Sequence, residues 1–189
     1  MKRKIKLLMV LSLFLLMFSL NNVKASTIWG NFVSTTGQAQ WVYNGSPYDT
    51  HTFATNITID GVTLTNAPAF CTEHDKGPVG IGDYVEATAY YPDTPGYNPR
   101  IAAILYYGVG GPGNITDNSQ EAILATTSAL NKYMGTGKDY YYMPYNRFYN
   151  TLIQKGDEAA AWGAPAGASY ILYNPHSTTK QIIAQYLTT

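Results

Sequence analysis

Cys71 is the residue of this sequence best suited to covalent chemistry. It is the only cysteine among 189 residues, so the chain can form no internal disulfide. It follows a short apolar stretch, and Gly77 and Pro78 come too soon after it for a helix to begin at the cysteine. A papain-like nucleophile opens a helix, whose N-terminus helps to hold the thiolate. The spacing therefore argues against a cysteine hydrolase.

Residues 1–25 have the pattern of a secretory signal peptide. Residues 2–6 are mostly basic, residues 7–20 are apolar, and Val23 and Ala25 are the small residues that a signal peptidase reads. The apolar run has 14 residues, whereas a membrane-spanning helix needs about 20. We therefore expect export to the bacterial cell surface or the medium, with no membrane segment left after cleavage. A single cysteine in an exported chain is either buried and inert, joined to another chain, or chemically employed.

The exported part, residues 26–189, is long enough for one domain with a sizeable core and contains no linker or repeat. Five of the twelve basic residues lie in the signal, which leaves seven against twelve acidic residues and a net charge of −5. An acidic surface of this kind makes nucleic acid an unsuitable partner. We expect a single domain that acts as a monomer.

The elements that must position the cysteine are strands, then helices, then strands. Predicted strands cover 27–34, 39–43, 56–59, 62–64, 84–90, 169–173 and 181–187, with turns at Asp60-Gly61 and 44–47, and Cys71 lies on or just after a further strand. Predicted helices cover 100–107 after Pro99, 119–134 with Asn118 as cap, and 145–155. This order predicts an α+β fold, with a β-sandwich or barrel-like core and an inserted helical subdomain.

Four ordered segments resemble the thioester domains found at the tips of Gram-positive adhesins and pili. The matching segments are Phe70-Cys71 before a polar turn, Arg100 to Gly108, Ser119-Gln120-Glu121-Ala122-Ile123-Leu124, and Tyr170 to Pro175 followed by Gln181-Ile182-Ile183. The third is similar to the family's Thr-Gln-x-Ala-Ile-Trp signature. Any one segment occurs by chance, but the ordered set is specific.

The resemblance implies an internal thioester between Cys71 and Gln181. It also implies a secreted or surface-bound adhesin domain that bonds covalently to lysine amines on a host extracellular or surface protein. Such a domain reacts once and is not a turnover enzyme, and it uses no cofactor. Phe70, Ser119, Gln120 and Ala122 would belong to its supporting motifs.

Several residues have two interpretations. Gln120 either supports the thioester or satisfies backbone groups at a helix start. Gln185 competes with Gln181 because residues i and i+4 of a strand share a face. His74 and His176 are candidate bases beside the bond, or solvated turn histidines. Scattered histidines and carboxylates give no metal-ligand spacing.

Two other classes of function remain open at this stage. One is a secreted cysteine hydrolase or acyltransferase that uses Cys71 with a histidine. The other is a non-covalent binding module with an inert cysteine, in which tyrosines such as 140–142 supply the contact surface.

Overall fold

The computed structural model describes residues 27–37, 40–43, 46–49, 53–59, 62–63, 65, 67–80, 82–135 and 146–188. The signal segment 1–25, the Asp60-Gly61 turn and the tyrosines 140–142 lie outside the described residues.

Antiparallel strands close into a barrel that carries the cysteine. The strands are β1 Thr27–Gly37, β2 Gln40–Tyr43, β3 Ser46–Asp49, β4 Phe53–Ile59, β5 Val62–Thr63, β6 Ala69–Cys71, β7 Tyr84–Tyr90, β8 Tyr170–Asn174 and β9 Ile183–Tyr186. The main sheet runs β1-β7-β8-β9-β6-β4, and β4 pairs back with β1, which closes the barrel. β5 pairs only with β4, and β2 and β3 form a separate hairpin. The barrel-like core predicted from the sequence is confirmed.

Three helices of the described chain form the insertion between β7 and β8. They are α1 Pro99–Tyr107, α2 Gln120–Met134 and α3 Tyr149–Trp162. Asn98 caps α1 by accepting a hydrogen bond from Arg100 N, and Pro99 tolerates the first helical position because its missing N–H is not needed there. Within the described residues no helix is long and apolar enough to span a membrane.

Alternation along the strands divides the core in two. One face of each strand contributes to a barrel core, which includes Cys71, Val85, Ile171, Tyr173 and Ile183. The opposite face contributes to a second core against the helices, and its members include Phe70, Tyr170, Ala184, Leu124 and Leu152. Adjacent strand residues point to opposite faces, so Phe70 faces the helices while Cys71 faces the barrel interior.

Several predicted boundaries were wrong. Ser46 and Pro47 belong to β3 rather than to a turn. The third helix begins at Tyr149, because Asn146 Oδ1 accepts hydrogen bonds from Phe148 N and Tyr149 N, and it continues to Trp162. Gln181 precedes β9 instead of opening it.

The cap of α2 is also corrected. Ser119 Oγ accepts a hydrogen bond from Ala122 N at 3.2 Å, whereas Asn118 adopts a left-handed conformation with φ 59°. The capping oxygen must lie within reach of the first free N–H groups, and in this chain the serine provides it.

We therefore expect Ser119→Ala to lower the free energy of unfolding by about 1 kcal/mol, as for other lost serine caps. Asn118→Gly should leave it equal or higher, because glycine tolerates positive φ. Denaturant unfolding of both variants measures this. A larger decrease in the free energy of unfolding for Asn118→Gly than for Ser119→Ala would mean that Asn118 is the cap.

Candidate functional site

Cys71 is the last residue of β6 and is enclosed by the barrel core. Its side chain is 1% exposed, and it packs in the same cluster as Ile183 and Tyr173. Burial raises the pKa of the Cys71 thiol from its ordinary value of 9.0 to about 12. At neutral pH the sulfur therefore carries its proton.

The pairing of β6 with β9 brings residues 71 and 181 to the same end of the barrel. Cys71 lies opposite Ile183, and Thr72 N donates to Ile182 O at 3.0 Å, which makes Cys71–Ile183 a pair without mutual hydrogen bonds. Facing side chains approach most closely in pairs of this type. Gln181 lies two residues before Ile183 and is thus the diagonal neighbour of Cys71, a separation that a long side chain can bridge.

The side chain of Gln181 is completely buried, with 0% exposure. Its Oε1 accepts a hydrogen bond from Glu73 N at 3.4 Å, and its backbone N donates to Gly77 O at 2.9 Å. Its Nε2 has no hydrogen-bond partner among the described residues. Leaving a buried amide nitrogen unpaired costs free energy.

Glu73 connects the cysteine segment to the glutamine segment, and the sequence did not single it out. Its backbone N–H contacts the Gln181 carboxamide, and one carboxylate oxygen accepts from Ile182 N at 2.9 Å. The other oxygen pairs with Lys76 Nζ at 2.6 Å. The signal that could have revealed it is its position two residues after Cys71, at the point where the strand ends and backbone donors lose their ladder partners.

The C-terminal end of α2 supports this loop from the helical side. Asn131 is buried, and its Oδ1 accepts a hydrogen bond from His74 N at 3.2 Å. A Cβ at Gly135 would lie 2.9 Å from Thr72 O, so the helix end approaches the strand backbone as closely as a glycine permits. Helix and barrel therefore both fix the segment that follows Cys71.

Gln185, the competitor for the acyl role, has its carboxamide fully engaged. Its Oε1 accepts from the Tyr173 hydroxyl at 2.6 Å, and its Nε2 donates to the carbonyls of Ala67 and Thr65. These contacts join β8, β9 and the chain before β6 inside the protein. Gln185 therefore has a structural role. The amide nitrogen without a hydrogen-bond partner among the described residues is that of Gln181.

The supporting residues inferred from the resemblance lie on β6 and at the start of α2. Phe70 packs on the helix-facing side of β6, and Ala122 is buried among the helices. Ser119 caps α2, and Gln120 is exposed in the first turn of that helix. At 1.5 Å per residue, Gln120 lies about 16 Å along the helix from Asn131, the α2 residue that contacts His74. Ser119 and Gln120 therefore lie at the opposite end of α2 from the residue that contacts the loop after Cys71.

The two candidate histidines differ in position. His74 is half-buried three residues after Cys71, on the loop that α2 supports. His176 is exposed and contacts Glu86, whose neighbours Val85 and Ala87 point into the barrel. Glu86 and His176 are therefore outside the barrel and not beside Cys71. Within the described residues no cluster of three or more potential ligands could hold a metal ion.

Comparison with known proteins revealed a distant structural similarity. No protein-family model matches the chain, and no curated protein matches it. Among solved structures, the chain is similar to the N-terminal domain of the Streptococcus pyogenes pilus tip adhesin Cpa, at 17% identity and a TM-score of 0.47. The match covers 77% of this chain and 88% of that domain. A similarity this distant establishes neither family nor function.

The different surroundings of the two glutamines predict different effects on stability. Both changes are made in a Cys71→Ala background, where no bond to sulfur can form. Gln185→Ala should lower the free energy of unfolding by about 2–4 kcal/mol, because the Tyr173 hydroxyl and two backbone carbonyls lose their hydrogen-bond partner. Gln181→Ala, which loses one long hydrogen bond, should cost at most about half as much. Urea unfolding measures both, and equal costs would contradict the assigned roles.

The raised pKa of Cys71 predicts a dependence on pH when the sulfur is not acylated. In Gln181→Ala the folded state keeps the thiol proton up to about pH 12, whereas the unfolded state loses it above 9.0. Stability should therefore fall as pH rises above 9, with a slope approaching about 1.4 kcal/mol per pH unit. Unfolding at a series of pH values measures this slope.

The control is Gln181→Ala combined with Cys71→Ala, which retains every tyrosine titration but has no thiol. The difference between the two variants isolates Cys71. A difference that does not change between pH 7 and 10.5 would show that the thiol is exposed to water.

Proposed function

We propose that this chain is a surface adhesin domain that stores a thioester between Cys71 and Gln181 and uses it to bond covalently to lysine on a host protein. The observation that carries the proposal is the Gln181 carboxamide, which is buried next to the strand that ends at Cys71 and has an unpaired nitrogen. That nitrogen is the atom that the reaction removes.

The first step is an acyl transfer within the protein. Cys71 Sγ attacks Gln181 Cδ, the C–N bond breaks, and a C–S bond replaces it. The thiol proton moves to the departing nitrogen, which leaves as ammonia, so no other reactant is needed. Amides are poor electrophiles, but two groups held in contact by a folded protein react as if at very high concentration.

Glu73 N–H is the candidate donor for the negative charge that develops on Gln181 Oε1. It already contacts that oxygen at 3.4 Å, a distance that can shorten as the oxygen gains charge. A fixed backbone donor in a site without water stabilises an oxyanion far better than solvent does. Burial keeps a proton on the Cys71 sulfur at neutral pH, so this proton must leave the sulfur as the C–S bond forms, and it passes to the leaving nitrogen.

The second step is attack on the thioester by a lysine amine of the target. The C–S bond breaks, Cys71 recovers a thiol, and an amide joins Gln181 to the partner. Because the glutamine is consumed, each molecule reacts once. This suits a monomeric domain that holds a bacterium on a surface under shear better than it suits an enzyme with turnover.

A turnover cysteine hydrolase is less well supported. Such enzymes need an accessible thiolate with a lowered pKa, whereas Cys71 is buried and burial raises its pKa.

Intact-mass spectrometry tests the proposal. The purified protein should weigh less than its mature sequence by one molecule of ammonia, and methylamine should then add its full mass. Cys71→Ala and Gln181→Ala should each have the full sequence mass and form no methylamine adduct.

The matched control is Gln185→Asn, whose glutamine the reaction does not use, and it should still lack one ammonia. A wild-type protein of full sequence mass would contradict the proposal. A mass deficit that persists in Cys71→Ala would also contradict the proposal, because it would mean that ammonia is lost through an amide bond between two other side chains.

A further inference from the structure

The carboxylate of Glu73 lies at the edge of the buried glutamine and is occupied by an ammonium group. Its side chain is 12% exposed, and that of Lys76, which pairs with it, is 25% exposed. The Glu73 carboxylate also accepts a hydrogen bond from Ile182 N, and the backbone N–H of Glu73 donates to Gln181 Oε1. A lysine ammonium is therefore already bound beside the carbonyl proposed to receive a lysine.

A target lysine arrives as a cation and must lose a proton before it can attack. An anion at the reaction site would both bind that ammonium and accept its proton. Among the described residues 72–80 and 82–83, Asp75 is exposed and Asp83 forms an ion pair with Lys180. Glu73 differs from both, because its carboxylate accepts a hydrogen bond from Ile182 N and its own backbone N–H contacts Gln181 Oε1.

The geometry points to Glu73 as the receptor for the incoming lysine ammonium, with Lys76 as the resident cation that the target lysine displaces. This inference rests on the proposed thioester. It makes a primary ammonium on a flexible stem the preferred nucleophile, because such a group can reproduce the contact that Lys76 makes.

The step balances without another reactant. The bound ammonium gives one proton to the Glu73 carboxylate, which passes it to water, and the neutral amine attacks Gln181 Cδ. The C–S bond breaks, and the sulfur takes a second proton from the attacking nitrogen. The products are an amide and the Cys71 thiol.

Two nucleophiles of different charge test the role of Glu73. Methylamine is a cation at neutral pH, whereas hydroxylamine is mostly neutral, and the rate of adduct formation with each follows from intact mass. The measured quantity is the ratio of the methylamine rate to the hydroxylamine rate, because changes in thioester reactivity cancel in it. Glu73→Gln should lower this ratio about tenfold or more, the factor expected for a lost charge-assisted hydrogen bond.

Lys76→Met is the second variant. It keeps the Glu73 carboxylate and removes the ammonium group that pairs with it. The ratio should rise severalfold in this variant, which also covers the case in which Glu73→Gln fails to form the thioester. The matched control is Lys155→Met, which removes another lysine–glutamate pair with the same three-residue spacing, on α3, and it should have the wild-type ratio.

Each outcome has a separate meaning. A ratio that does not rise in Lys76→Met, or does not fall in a reactive Glu73→Gln, would overturn the role of Glu73. No wild-type adduct with either nucleophile would instead show that the thioester itself is wrong.

Discussion

The register of β6 against β9 is the constraint on which the rest of the site depends. It is fixed where Thr72 N and Thr72 Oγ1 both donate to Ile182 O, at 3.0 and 2.8 Å, across 110 residues of chain. A shift by one residue would turn Gln181 to the opposite face of the strand and separate it from Cys71. The helical insertion lies between these two segments in sequence, and the end of α2 supports the loop after the cysteine through Asn131. The fold therefore brings together two segments of the chain that are far apart in sequence.

The two buried glutamines of this strand region show how the same residue type serves two purposes. Gln185 has partners for its oxygen and nitrogen and so stabilises the barrel. Gln181 has its oxygen held and its nitrogen unpaired. An unpaired buried polar group costs about 1–3 kcal/mol, and loss of that nitrogen as ammonia would remove the cost. In the proposed reaction, expulsion of the unpaired nitrogen would therefore favour the product.

The sequence predicted the frame of this arrangement better than its details. Alternation and turn residues predicted β7 at its observed bounds, and Pro99 marked the start of α1. The prediction of Asn118 as the cap of α2 was wrong, because the position of a cap depends on a local φ angle that the sequence pattern does not give. Nor could that pattern separate Gln181 from Gln185, which share a face, since the distinction lies in partners such as Tyr173 that come from another strand. Glu73 was missed for a similar reason, because its role comes from contacts with residues 181 and 182.

A high-resolution crystal structure of the untreated protein would show whether the thioester between Cys71 and Gln181 is present. We expect continuous electron density from Cys71 Sγ to Gln181 Cδ at a covalent distance, no density for the glutamine nitrogen, and Glu73 N–H pointing at the thioester oxygen. Two separate side chains, with an intact carboxamide at position 181 that is hydrogen-bonded through its nitrogen, would contradict the proposed thioester.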